Sequence, residues 1–419
     1  MAGPATYFDP ARAASLDPAT RALVERRAVL GSAYRLFYDE PVQFVRGLGT
    51  KLWDADGNEY LDAYNNVPSV GHAHPRVVEA IATQAATLNT HTRYLQGGIL
   101  DYAEDLLSTL PRAIDTTMFT CTGSEANDLA LRIAKHATGG TGVIVTTNAY
   151  HGVTTEIAAI SPSLGGIDSV APWVRLVDPH DLAAGTTAAL ADFAANGITP
   201  AALIVDTIFA SDGVLPDLPG LTDAVAAIRK RGGLFIADEV QPGFGRLGSG
   251  MWGFDRYGLV PDLVTIGKPM GNGHPVAAVM ARRDLIDSFG REVRYFNTFG
   301  GNTVSIAAAQ ATLDVVRDEE LTSNARVIGE RLLTGLRDMR HELISEVRGA
   351  GLFIGVELRR DGQPATAETL AVVNELRQRR VLLAASGVDN NILKIRPPLP
   401  FDANDADRLL TELDAVLAS

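Results

Sequence analysis

Lys268 stands at the end of an apolar run, Leu263-Val-Thr-Ile-Gly267, and is followed by the glycine- and proline-rich loop Pro269-Met-Gly-Asn-Gly-His-Pro275. A buried strand that delivers one amine into such a loop suits a lysine that attacks a carbonyl, because partial desolvation keeps the amine unprotonated and reactive. The chain has five lysines, Lys51, Lys135, Lys230, Lys268 and Lys394, among 37 lysines and arginines in all, so a lysine at a strand end is a selective choice. Taken alone, a lysine snorkelling from the strand end to solvent fits the same residues equally well.

Thirty residues earlier, Leu234-Phe-Ile-Ala-Asp-Glu-Val-Gln241 is an apolar strand that closes on two consecutive carboxylates. Neighbouring strand residues face opposite ways, so Asp238 and Glu239 cannot share one role. Pointed into a ligand cleft, Asp238 can form a charge-assisted bond to a protonated ring nitrogen; pointed outward it is a solvated strand end. Thr122-Gly-Ser-Glu-Ala-Asn127 joins another strand to a helix, where free N–H groups and the helix dipole can receive a phosphate, with the Ser124 hydroxyl beside them. A plain N-cap would look the same. Tyr150-His151-Gly152 offers a ring to stack on a flat ligand and a glycine for close approach, or ordinary packing. Arg396, closing Ile392-Leu-Lys-Ile-Arg396, can pair bidentately with a substrate carboxylate.

The elements that must position these groups alternate. Strands are expected at 118–122, 143–147, 202–207, 234–240 and 263–267, with helical spacing between several of them, as in 125–137 and 221–231. That alternation predicts an α/β fold with a mainly parallel central sheet and ligands at the C-terminal strand ends, where every motif above falls. Ahead of it lie a partly helical stretch to about residue 40 and a hairpin through 42–46 and 51–54 with its turn at 54–58. After residue 303, long amphipathic helices, short strands and a last helix from Asp405 predict an α+β unit. The expected division is 1–65 for the N-terminal segment and hairpin, 66–302 for the large domain and 303–419 for the C-terminal part of a small domain built from both termini.

With 419 residues the chain can bury substantial cores without a metal or disulfide staple. A hydrophobic fraction of 46%, a charged fraction of 21% and no run of eighteen apolar residues describe a globular enzyme with no membrane span. Met1-Ala-Gly-Pro-Ala-Thr6 lacks a basic and apolar leader, so the cytoplasm is the expected compartment. The net charge of -13 would repel a phosphate backbone, which excludes nucleic acid as the expected partner. The one cysteine, Cys121, reads as strand packing rather than a nucleophile. The histidines lack acidic partners at ligand spacing, so no metal is expected.

Together and in this order, Gly123-Ser-Glu-Ala-Asn127, Asp238-Glu-Val-Gln241 with Gly243-Phe-Gly-Arg246, Gly267-Lys-Pro269 and Thr298-Phe-Gly-Gly-Asn302 resemble the class III aminotransferases, pyridoxal-phosphate enzymes of fold type I. The resemblance runs from about Phe44 to the C-terminus. It implies that Lys268 forms the Schiff base with pyridoxal 5'-phosphate and moves the substrate proton, while Asp238 holds the pyridine nitrogen protonated. It also implies that Gly123 and Ser124 cup the phosphate, Tyr150 and His151 border the ring, Val240 packs on its other face and Gln241 approaches its hydroxyl. Thr298 would reach the phosphate of a neighbouring subunit, which requires at least a homodimer, with room for a larger assembly.

Two departures bear on the substrate. Many members carry a Glu-Pro where this chain reads Ile204-Val-Asp-Thr-Ile208, and that glutamate pairs with the late-strand arginine when no second carboxylate is bound; Asp206 is one methylene shorter. Pro242 stands where threonine is common. Moreover, Tyr64-Asn-Asn-Val-Pro-Ser-Val-Gly-His-Ala-His-Pro75, Leu88-Asn-Thr-His-Thr-Arg-Tyr-Leu95 and the Lys268 loop look most like the branch that includes the phospho-lyases. The leading expectation is transfer of an amino group from a primary or ω-amino compound to a keto or aldehyde acceptor. The alternative is a lyase that expels phosphate or ammonia from a small amine. In this reading Asn65, Asn66, His72 and His74 border the pocket or serve only turn and helix-entry chemistry before Pro75.

Overall fold

The structure, a computed structural model, describes residues 7–419. The hexapeptide on which the leader reading rests lies outside the described residues. Seven strands form the central sheet, in the order Thr116–Thr120, Ala277–Ala281, Leu263–Ile266, Leu234–Asp238, Pro200–Asp206, Gly142–Thr146 and Val174–Val177. Ala277–Ala281 runs antiparallel to both its neighbours, and the remaining pairings are parallel. Its interior strands are buried on both faces because helices cover both. Side chains alternate between two cores accordingly: Leu203, Val205, Phe235 and Val264 face one, Ala202, Ile204, Ile236 and Leu263 the other.

All five expected strands are present, with ends shifted by one or two residues. Val174–Val177 and Ala277–Ala281 were not expected. The first is a four-residue edge strand, too short for a visible period. The second reads Ala-Ala-Val-Met-Ala, a composition that suits a helix as well as a strand.

The N-terminal part contains a helix, Pro18–Arg26, opened by the Asp17 side chain, which accepts from the N–H groups of Ala19 and Thr20. The expected hairpin is a three-stranded meander, Phe44–Leu48, Lys51–Asp54 and Glu59–Asp62. Asp54 fixes its second turn by accepting from the N–H groups of Asp56 and Asn58 at 3.1 and 2.8 Å. Val381–Leu382 then adds parallel to Glu59–Asp62, so both ends of the chain share one sheet. A third sheet carries Ile344–Ala350, Phe353–Arg360, Ile392–Ile395 and Ala384–Ser386 in that order.

The loop after Lys268 is fastened to the loop after the meander. Ser69 Oγ donates to the Pro269 carbonyl at 2.7 Å, and Asn272 accepts from Val70 N–H and donates to the Gly71 carbonyl at 2.9 and 2.8 Å. Asn272 holds φ +48°, a left-handed conformation that asparagine tolerates better than most residues. No helix among the described residues is long and apolar enough to cross a membrane.

Candidate active site

The helix Gly123–Thr138 begins directly behind the strand Thr116–Thr120, and its start is sealed by a capping box. Thr122 Oγ1 accepts from Glu125 N–H at 3.1 Å, while Glu125 Oε2 accepts from the N–H groups of Cys121 and Thr122, both at 2.9 Å. Gly123 and Ser124 are the next two residues, and a helix offers no internal acceptor to their N–H groups. They form the anion-receiving end of the helix. Glycine is required at 123, because a Cβ would lie 2.9 Å from both Val240 methyls. It is required again at 152, where φ is +139° and a Cβ would strike Ser124 Oγ. That hydroxyl accepts from Val153 N–H at 3.1 Å, locking the Tyr150-His151-Gly152 turn to the helix start.

Asp238 and Glu239 divide as strand alternation demands. Asp238 Oδ2 accepts from Asn127 Nδ2 and His151 Nδ1, both at 2.8 Å, and Oδ1 accepts from Val240 N–H at 3.0 Å. Asn127 is oriented in turn by Thr265 Oγ1 at 2.6 Å and by the His151 carbonyl at 2.7 Å. The donors that surround Asp238 keep it a hydrogen-bonded acceptor at the cavity floor. Glu239 points away and accepts from Thr207 Oγ1 and the N–H groups of Gly253 and Phe254 at 2.7 to 2.9 Å. Burial outweighs those donors and pushes its carboxyl up to about 8. Glu239 is therefore a structural cap for the turn at 253–257.

These groups line one cavity of about 340 Å3, with Gly123, Ser124, Asn127, Tyr150, His151, Asp206, Asp238, Val240, Gln241 and Lys268 in its wall. Burial lowers the Lys268 amine, and the nearby Arg396 charge lowers it further, against the opposing pull of Asp238 and Asp206. The direction favours the neutral, nucleophilic amine. Burial likewise raises the Tyr150 phenol, which keeps its ring neutral beside Asp238.

Other expected residues lie elsewhere. Thr298 is exposed and does not line its own chain's cavity. Arg396 is buried behind Gln241: its Nη1 donates to Gln241 Oε1, its Nε donates to the Tyr64 carbonyl at 3.3 Å, and its guanidinium lies 5.0 Å from the Tyr64 ring centroid. Asp206 does not pair with it. Both Asp206 oxygens accept backbone N–H groups of their own loop, from Ile208 at 3.0 Å and Ala210 at 3.1 Å, and burial with the adjacent Asp238 raises this carboxyl to about 6.

The polar loop resolves to its structural alternative. Asn65 Oδ1 accepts from Val67 N–H at 3.1 Å, His72 pairs with Asp62 at 2.7 Å, and His74 with Glu319 at 3.0 Å. Asn66 is buried off the cavity, and only Val67 of that stretch lines it. Cys121 ends up half-buried in the cavity wall just past the strand, rather than packed within it. Asn127 was missed as a site residue, although it sits one helical turn after Ser124 in the quoted motif. Its spacing placed it on the helix face turned toward the strand ends.

Residues 37–417 match the family described as aminotransferase class-III. The chain belongs to this family. It is 39% identical to the ethanolamine-phosphate phospho-lyase homolog 1 of Caenorhabditis elegans, over 98% of this chain and 97% of that protein. It is 38% identical to an alanine–glyoxylate aminotransferase 2-like protein of Drosophila melanogaster, over 93% and 85% respectively. Among solved structures, a phospholyase from Arthrobacter in complex with phosphoethanolamine superposes with TM-score 0.92 at 42% identity, covering 95% of this chain and 99% of that one. The fold is that of the fold type I enzymes, and pyridoxal phosphate is the cofactor. The cavity fits it: free N–H groups at Gly123 and Ser124 suit its phosphate, Asp238 its ring nitrogen and Lys268 its aldehyde, all in one continuous wall.

Proposed function

We propose that this chain is a lyase that expels phosphate from a small phosphorylated amine, with phosphoethanolamine as the test substrate. The observation that carries this reading is the buried Arg396 with no carboxylate at ion-pair distance, because Asp206 is committed to its own loop. An enzyme that alternates between a neutral-ended amine and a dicarboxylate acceptor gains from an acid that masks the arginine. A reaction with one substrate that always carries an anion does not need the mask. The likeness to two phospho-lyases supports the same reading.

When bound in the cavity, pyridoxal phosphate would supply an aldehyde for the amine and a ring able to take up negative charge from the substrate carbon. Gly123 and Ser124 would hold its phosphate by N–H donation, Asp238 would accept from the ring N–H, and Tyr150 and Val240 would confine the ring. Lys268, partly desolvated, takes the proton from the carbon bearing the amine. The adjacent C–O bond then breaks, phosphate leaves with the electron pair, and hydrolysis of the remainder gives ammonia and an aldehyde.

Incubation of the holoenzyme with phosphoethanolamine should release phosphate and ammonia in equal amounts over many turnovers. Stoichiometric conversion to the pyridoxamine form, with no phosphate, would favour amino-group transfer to a keto or aldehyde acceptor, the reading supported by the family description and the alanine–glyoxylate aminotransferase 2-like relative. We further propose that a second copy completes the site. Thr298 is exposed, and Tyr94, Leu95 and Phe299 present large apolar side chains to solvent. The division at 1–65, 66–302 and 303–419 is proposed with it.

A further inference from the structure

Lys394 is the buried cation that the chemistry above does not use. It lies on the strand Ile392–Ile395, two residues before Arg396, so strand alternation sends both side chains to the same side. Its cross-strand neighbours are Gly355 and Ala384, two of the smallest residues. That face of the sheet meets the loop behind Asp206. A Cβ at Gly355 would lie 3.2 Å from Val214 and 3.3 Å from the Gly213 carbonyl, and Ser386 Oγ donates to the Ala210 carbonyl at 2.9 Å.

At this seam Lys394 is 9% exposed and makes no hydrogen bond or ion pair among the described residues. Burial pushes its amine down to about 7, and the charges of Arg396 and Lys268 act in the same direction against the opposing pull of Asp206. Asp206 already has both oxygens occupied by backbone donors. Two buried basic groups thus stand outside the cavity lining, near a single carboxylate that neither of them binds. Arg396 keeps its charge against a glutamine, a carbonyl and a ring, whereas an amine buried with no polar partner gives up its proton until an incoming anion pairs with it.

We propose that Lys394 is a specificity-determining residue that, together with Arg396, holds the anionic far end of the amine substrate, a phosphate or phosphonate group. This assignment rests on the reading of the substrate as a phosphorylated amine. A monocarboxylate would satisfy Arg396 alone; two cations match the second negative charge of a phosphate.

The test titrates holoenzyme with 2-aminoethylphosphonate, whose phosphorus is held through carbon and is not expelled, and with propylamine, which has an uncharged tail, following the cofactor absorbance. In Lys394→Met the phosphonate should bind roughly thirtyfold more weakly or worse, while propylamine binds as in the wild type. Lys394→Arg, which keeps the charge, should retain the preference for the phosphonate. An unchanged phosphonate affinity in Lys394→Met, or an equal loss for both amines, overturns the assignment. Should the Met variant fail to fold, Lys394→Arg decides: a retained phosphonate preference supports the role, and equal loss for both amines removes it. A wild type that binds the phosphonate through Lys394 yet releases no phosphate from phosphoethanolamine would sink the lyase reading and leave Lys394 in place. Phosphate release with an unchanged KM in Lys394→Met would do the reverse.

Discussion

The two ends of the site, one lining the cavity and the other lying outside its wall, are built on opposite rules. At the Asp238 end the carboxylate has its partners: it accepts from Asn127, His151 and Val240 N–H, Asn127 is held by Thr265, and Ser124 clamps the turn that carries His151, while His151 Nε2 is buried without a partner among the described residues. At the other end Arg396 leans on a glutamine, a carbonyl and a ring, and Lys394 has no polar partner. The first end is preorganised for a resident group that does not change between turnovers. The second holds Arg396 without an acid, and in our proposal that charge arrives with the substrate.

The largest test of this contrast is Lys268→Ala, which removes the one group shared by both ends. The holoenzyme absorbance band that borohydride abolishes in the wild type should be lost, and turnover should fall by about 10^4-fold. Retention of both would remove Lys268 from the chemistry. Next in size, Asp238→Asn keeps the shape of the preorganised end but replaces a charged acceptor. We expect kcat to fall about 10^2- to 10^3-fold, with cofactor still bound through the Gly123 and Ser124 turn. A KM effect with unchanged kcat would show that Asp238 only packs the floor.

At the unmatched end, Arg396→Met should raise KM for phosphoethanolamine roughly thirtyfold or more and leave the binding of propylamine nearly unchanged. Equal losses would mean that both ends are structural in the same way. The smallest effect belongs to Glu239→Gln, directly beside Asp238 but facing away from the cavity. Its folded-state value near 8 exceeds its unfolded value, so the native state binds a proton that the unfolded state has released between these two. Glu239 therefore lowers stability progressively as pH rises toward 8. Glu239→Gln should flatten the fall in stability between about pH 4.5 and 8 and cost about 1 kcal/mol below that range, with kcat near that of the wild type. Thermal unfolding across that range checks it, and an unaltered slope would mean that another group carries the proton.

The preorganised end was legible in the chain because each of its parts is a local pattern. The strand ending in Asp238-Glu239, the Gly123-Ser124 helix start and the strand ending in Lys268 each declare themselves within a few residues, and alternation alone separated Asp238 from Glu239. Asn127 and the lack of an acid beside Arg396 were not legible, since each depends on residues far away in sequence: Thr265 and Asp238 for the first, the turn of Asp206 back onto Ile208 and Ala210 for the second. Nor could the sequence choose for Asn65, Asn66, His72 and His74. Asp62 and Glu319 take up the two histidines, the latter brought to His74 from 245 residues away.

What the sequence determined by itself is five of the seven strands of the sheet, the family and the strand-end lysine to which we assign the chemistry, because period-two burial and strand-end motifs are short-range signals. What only the tertiary structure decided is the balance of charge at the substrate end. Lys394 and Arg396 come from the late strand and Asp206 from a strand nearly two hundred residues before it. Whether these charges pair is a matter of a few ångströms across the seam between two sheets, and no pattern along the chain encodes that distance.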